Sequence, residues 1–247
     1  MTKATDTIEI RRPDDWHLHV RDGRAMQDVI VHTAARIEAL HNWLSDAANV
    51  GSSIRVAQSK LAGRRVFVYA GNMGVAQNTK AFCKLAVRLQ DRVDLGFLFV
   101  GRGSESAKLA EQYGVLPNVL FWDEIASEEI PGLYAQCHVG LVALDPRHKS
   151  HNIPGKFLSY MQAGLPVLAC VNTGNDLIAL IAARGVGMVV DAEGCEESLV
   201  QAAIATLELA EDPKAASRCR DLAMNMFSSR SAVSQIVSSL AGINQKF

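Results

Sequence analysis

Lys156 stands in the first turn of a helix that the sequence starts after Pro154 and Gly155. Free backbone N–H groups and the positive end of the helix dipole favour an anion at such a place. The lysine adds a mobile cation there, and with the backbone at Gly155 the arrangement suits a diphosphate. The same residues also read as an ordinary helix start with a solvated lysine. A second anion candidate is Gly71-Asn72-Met73-Gly74, whose glycines would let backbone N–H groups approach a phosphate closely, although glycines at strand ends also serve as plain turns. This loop lacks the G-x-G-x-x-G spacing and the acidic residue beyond it, so a nicotinamide site is not supported. Near the amino terminus, His17 and His19 are two apart, so on an extended strand both imidazoles face one side and could share a metal ion. Arg21 shares that face and could hold a carboxylate. Surface histidines show the same spacing by chance, and two ligands fall short of the three that a catalytic zinc takes from the protein.

The elements that must position these residues alternate in type. Apolar runs of strand length cover Val66 to Ala70, Leu95 to Val100, Asn118 to Trp122, Val139 to Leu144, Pro166 to Val171 and Gly187 to Val190. Helical spacing fills Ala76 to Gln90, Ser104 (a cap) to Tyr113, Glu128 to Cys137, Pro154 to Ala163 and Asn175 to Arg184, with two or three more helices from Cys195 to Leu240. Strands that are apolar on both faces and alternate with helices predict an α/β fold, a Rossmann-like, doubly wound parallel sheet of six strands. Such sheets bind ligands beyond the carboxyl ends of their strands, at the switch in strand order. Those ends are Gly71 to Gly74, Gly101-Arg102-Gly103, Trp122 to Ile125, Asp145 to His151 and Asn172 to Gly174. Before this domain, Ser53 to Leu61 reads as a short helix within a junction.

With 49% hydrophobic and 21% charged residues, the 247-residue chain can bury a sizeable core. A formal net charge of -1 and the lack of a polybasic run disfavour nucleic acid. The five cysteines are widely spaced and form no C-x-x-C pair, which fits reduced thiols in a cytoplasmic protein. No apolar run reaches the roughly 18 residues of a spanning helix, so membrane attachment, if any, would be peripheral.

Two resemblances extend this reading. The string RRPDDWHLHVRDG, Arg11 to Gly23, with the following MQDVIVHTA, resembles the opening strand of bacterial dihydroorotase, a zinc amidohydrolase on a (β/α)8 barrel. In that family the histidines are zinc ligands and the arginine contacts the substrate carboxylate, which implies those roles for His17, His19 and Arg21. The resemblance stops near Arg36, and a barrel needs about 200–250 residues. Zinc hydrolysis is therefore not expected, and the segment reads as a fragment joined to another protein.

From about residue 38 to 240, the strings VYAGNMGVAQ, FLFVGRGSES, LPNVLFWDEI, IPGLYAQCHVGLVAL, IPGKFLSYMQAGLPVLA and FSSRSAVSQI resemble the donor-binding, carboxyl-terminal half of family 4 glycosyltransferases of the GT-B fold. The bacterial polysaccharide branch is the nearest in flavour. The resemblance implies a retaining, hexosyl-type transfer from a nucleotide sugar in polysaccharide or lipopolysaccharide synthesis, with the nucleotide sugar as substrate and no cofactor or metal. It implies that Gly71, Asn72, Met73, Gly74, Arg102, Gly155 and Lys156 surround the diphosphate. Trp122, Asp123, Glu124 and Ile125 would frame the base, with Ser159 toward the ribose and His151 toward the sugar. The family's paired glutamates fall at His151 and Ser159 here, and its first-loop arginine and lysine fall at Asn72 and Gln77.

The chain thus divides into a dihydroorotase-like segment at 1–36, a junction at 37–65 and a nucleotide-sugar-binding domain at 66–247. The acceptor half of a GT-B enzyme is not recognisable, so a second chain or self-association is expected to supply it, in the cytoplasm or at the inner face of the membrane. The alternatives are a non-catalytic nucleotide-diphosphate-sugar module working with a partner, and a truncated dihydroorotase-like zinc enzyme.

Overall fold

The computed structural model describes residues 51–147 and 153–226. His17, His19, Arg21 and His151 lie outside the described residues, as do the helices expected beyond Met226. Six strands form one sheet: β1 (Arg65–Ala70), β2 (Leu95–Val100), β3 (Val119–Trp122), β4 (Val139–Ala143), β5 (Val167–Val171) and β6 (Gly187–Asp191). Every pair is parallel and the order is β3-β2-β1-β4-β5-β6, the doubly wound order with its switch between β1 and β4. The helices are α1 (Lys80–Arg88), α2 (Ser106–Tyr113), α3 (Ile130–Tyr134), α4 (Gly155–Ala163), α5 (Asp176–Arg184), α6 (Glu196–Glu211) and α7 (Ala215–Met226). Among the described residues, no helix is long and apolar enough to cross a membrane.

Side chains of β1 alternate between two cores. Val66, Val68 and Ala70 join Tyr134, Phe157, Tyr160 and Met161 on one face, while Phe67 and Tyr69 join Met73, Phe82 and Phe97 on the other. Four of the five cysteines are buried, and Cys195 is exposed. Ile54, Val56 and Leu61, placed in the junction by the sequence, are buried in the first of these cores.

Three expected helices differ. Ser53 to Leu61 holds only a 3-10 turn at Val56–Gln58. The run from Ala76 to Gln90 breaks at Asn78, which has φ 41°, so that a 3-10 turn precedes α1. The cause is that the Ala76 carbonyl accepts from Asp145 N–H (2.9 Å), tying this loop to the end of β4 instead of to the next helical turn. The run from Glu128 to Cys137 is a 3-10 turn followed by the short α3, with Gln136 diverted to bond Ile54 and Val56 of the preceding segment. Ser104 does not cap α2; the N-cap is Glu105, without a side-chain bond.

The contact between β1 and β4 is short, and this shapes the crevice. The two strands pair at Phe67 with Val139 and at Val68 with Gly140. At the entry, His138 N–H donates to Val66 O (2.9 Å) and Val66 N–H donates to His138 Nδ1 (3.0 Å). At the exit, the Tyr160 hydroxyl of α4 donates to Val68 O (3.0 Å) and accepts from Ala70 N–H (3.3 Å). A side chain thus takes the ladder positions that β4 leaves, and the strand ends part. Gly140 makes room for it, because a Cβ there would lie 2.4 Å from the Tyr160 ring. Gly140→Ala is expected to cost about 1–3 kcal/mol by overpacking, read as a lowered Tm. Tyr160→Phe, which leaves two buried backbone groups unsatisfied, is expected to cost about 1–3 kcal/mol.

Candidate functional site

Two glycine loops meet at the carboxyl edge. Gly71 N–H donates to Val100 O (2.9 Å), Met73 N–H to Arg102 O (2.7 Å) and Glu105 N–H to Met73 O (3.0 Å), so the loop after β1 is laced to the loop after β2. The lacing requires glycine on the β2 side. A Cβ at Gly101 would lie 2.2 Å from Gly71 O and one at Gly103 2.5 Å from the Met73 backbone, and both have positive φ. Most of the backbone N–H groups that Gly71 to Gly74 could turn toward a phosphate are thus engaged within the protein. Gly71 and Met73 donate internally, and Gly74 N–H donates to Gln77 Oε1 (3.2 Å), leaving that of Asn72 among the described residues. The Asn72 side chain also donates to Gln77 (3.1 Å), and Met73 is buried.

Helix α4 points its amino terminus at this loop. Its N-cap is Pro154, which makes no side-chain cap bond, and Phe157 N–H donates to Pro154 O (2.9 Å). Lys156 lies one turn before Tyr160 on the same face, which carries it into the crevice between β1 and β4. The stem is partly exposed, but the ammonium is buried and has no hydrogen-bond partner among the described residues. It sits 3.4 Å from the centroid of the Tyr69 ring and beside Gly71, whose missing side chain would stand 3.6 Å from it. The sequence reading of Lys156 as a mobile cation is corrected on this point. Burial pushes its pKa down to about 7, and the ring face of Tyr69 is the compensating contact.

Beside the crevice lies a cleft of about 580 Å³, lined by Ala70, Gly71, Asn72, Gly101, Arg102, Glu124, Ile125, Ser127 and Ile130. Arg102 is highly exposed and pairs with Glu124 (3.0 Å) at its rim. Glu124 and Ile125 thus line the cleft, whereas the exposed Trp122 and Asp123 do not. Ser159 lines a separate cavity of about 580 Å³ between α3, α4 and α7, which meets the first at Ile130. Among the described residues, no group of three His, Cys, Asp or Glu side chains could hold a metal ion.

Tyr69, Tyr160 and Gly140 were not singled out from the sequence. The available signals were a hydroxyl at the end of an otherwise apolar strand and a tyrosine four residues after Lys156.

A sequence model of the family described as glycosyl transferases group 1 matches residues 64–209. Among solved structures, the chain is similar to HepE of Anabaena, crystallised in complex with UDP, at 17% identity and a TM-score of 0.57, over 82% of this chain and 55% of that one. It is also similar to the C-terminal domain of the group 1 glycosyl transferase LpcC of Francisella tularensis, at 19% identity and a TM-score of 0.52, over 67% of this chain and 86% of that one. These are likenesses of fold. The amino-terminal segment is similar to dihydroorotase of Delftia acidovorans, 67% identical over 36 residues, which are 15% of this chain and 10% of that enzyme. The chain therefore spans about a tenth of its curated relatives and about half of HepE.

Burial of the Lys156 ammonium has a sign that titration can read. The folded pKa of about 7 lies below the ordinary 10.5, so between these values the unfolded chain holds more protons and stability rises with pH. Below about pH 7 both states are protonated and the burial penalty acts in full. Lys156→Met is expected to stabilise the protein by about 1 kcal/mol or more at pH 6, or about 2–4 °C in Tm. The gain should shrink as pH approaches 10.5. A gain independent of pH would assign it to packing instead.

Proposed function

Since the chain belongs to the glycosyl transferases group 1 family, we propose that its Rossmann-like domain binds a nucleotide-diphosphate sugar and acts as the donor half of a retaining, hexosyl-type glycosyltransferase. The observation that carries this reading is Lys156. A buried ammonium without a hydrogen-bond partner among the described residues, next to the amino terminus of α4, is a costly arrangement for a stable fold. It suits an anion held between them.

In this reading the diphosphate lies over Gly71 and Asn72 against Gly155 and Lys156, and the nucleoside enters the cleft lined by Arg102, Glu124 and Ile125. As the bond from the sugar to the diphosphate breaks, negative charge grows on the phosphate oxygens. Fixed N–H dipoles and the ammonium stabilise that charge more than they stabilise the intact donor. The nucleotide sugar is itself the activated substrate and brings its own leaving group. The acceptor, a growing cell-surface polysaccharide or lipopolysaccharide at the cytoplasmic face of a membrane, is presented by a second domain or chain.

One position favours a second reading, a nucleotide-diphosphate-sugar module that binds without transferring. Ser159 stands where the family carries a glutamate, and it lines the cavity on the α7 side of α4. Donor hydrolysis by the purified chain separates the two, since a module would release no sugar.

The binding step is tested by thermal shift against UDP, GDP, TDP and CDP. At 100 times its dissociation constant, a ligand should stabilise the fold by about 2.7 kcal/mol. One nucleotide is expected to raise Tm, and Lys156→Ala to abolish the rise. A cooperative melt that none of the four moves would overturn the donor site.

A further inference from the structure

The Tyr69 side chain touches both halves of the candidate site. Its ring lies 3.4 Å from Lys156 Nζ, and its hydroxyl donates to Asn72 O at 2.6 Å. The first contact holds the cation that comes from α4. The second fixes the Asn72–Met73 peptide of the loop after β1, whose N–H donates to Arg102 O. Tyr69 itself is fully buried between Phe99 and the α1 side of the sheet, so neither contact can drift independently of the strand.

We propose that Tyr69 is a positioning residue of the donor site. Its ring seats the Lys156 side chain in the crevice without an oxygen partner among the described residues, so that a nucleoside diphosphate binds together with one proton taken up by Lys156. The proposal rests on the donor-site reading above and concerns how that site recognises its diphosphate.

The chemistry balances simply. Above about pH 7 a growing share of Lys156 is the neutral amine, because burial holds its pKa near that value. A diphosphate at Gly71 and Gly155 places negative charge against Nζ and restores the preference for the ammonium. The amine then takes one proton from the buffer, and no other bond is made or broken. The groups around it do not offset this. Tyr69, Tyr134 of α3 and Tyr160 of α4 are all pushed up by burial and stay neutral, and no carboxylate among the described residues contributes to the Lys156 shift. The Arg102–Glu124 pair sits at the solvent-exposed rim.

The test is calorimetric titration of the full chain with the member of UDP, GDP, TDP and CDP that raises its Tm. It is run at about pH 8, where the terminal phosphate is fully ionised, in Tris and in HEPES, whose ionisation enthalpies differ. Uptake of nearly one proton per nucleotide is expected. Tyr69→Phe keeps the ring and should keep the uptake, with affinity lowered several-fold by the freed Asn72 carbonyl. Tyr69→Leu should lose the uptake and weaken binding by about tenfold or more. Where Tyr69→Leu does not melt cooperatively, Tyr69→Met replaces it, with the same loss of uptake expected. Binding to the wild-type chain with no proton uptake overturns this inference and leaves the donor site standing, and so does undiminished uptake and affinity in Tyr69→Leu. If none of the four nucleotides binds, both fall together.

Discussion

Between β1 and β4 a tyrosine hydroxyl does what a neighbouring strand does elsewhere in the sheet. Tyr160 answers Val68 O and Ala70 N–H at the point where the ladder would continue. Buried backbone groups need partners, and a strand cannot leave its neighbour unless something else supplies them. With that supply coming from α4, the two strands are free to part, and the parting makes the crevice. The same helix then sets Lys156 one turn nearer its amino terminus, over the opening that Tyr160 made. Gly140 is the silent partner in this arrangement, since any side chain there would occupy the ring's place.

The site is therefore built from opposite faces of the sheet. Tyr160, Tyr134 and Phe157 belong to one core, and Tyr69, Met73 and Phe99 to the other. Lys156 crosses from the first to the second through the switch point, and its contact with Tyr69 is the place where both cores reach the ligand edge. Burial of so large a cation fits poorly with stability as the sole end of the design. The surrounding core is rich in aromatic and aliphatic side chains that could fill the space at lower cost.

The sheet was legible because parallel strands buried on both faces read as unbroken apolar runs, as in Leu95 to Val100, where the observed strand has the expected bounds. Helix boundaries were less so, where a backbone carbonyl was claimed from a distance. The Ala76 carbonyl goes to Asp145, and nothing in the local spacing of Ala76 to Gln90 announces it. The start of α4 at Pro154 to Lys156 was also legible, because a helix start and a lysine in its first turn are local features. The seat of that lysine was not. It depends on Tyr69, 87 positions earlier in the chain, meeting α4 only after the sheet has formed. Lys156 and Arg102 show the same limit in opposite directions: both are basic residues near the carboxyl ends of the strands, and tertiary structure buries the ammonium of one and leaves the other at a rim.

The lacing of the two glycine loops carries a consequence of a different kind. Its bonds run from backbone to backbone, through Gly71, Met73, Arg102 O and Glu105, and none uses the side chains of Asn72 or Arg102. The path of the chain around the ligand edge is thus indifferent to what those two positions carry, while both side chains border the cleft. Such a division lets recognition drift through descent with the scaffold held constant: residues 72 and 102 can be exchanged, in nature or in a library, without the loops having to be reinvented.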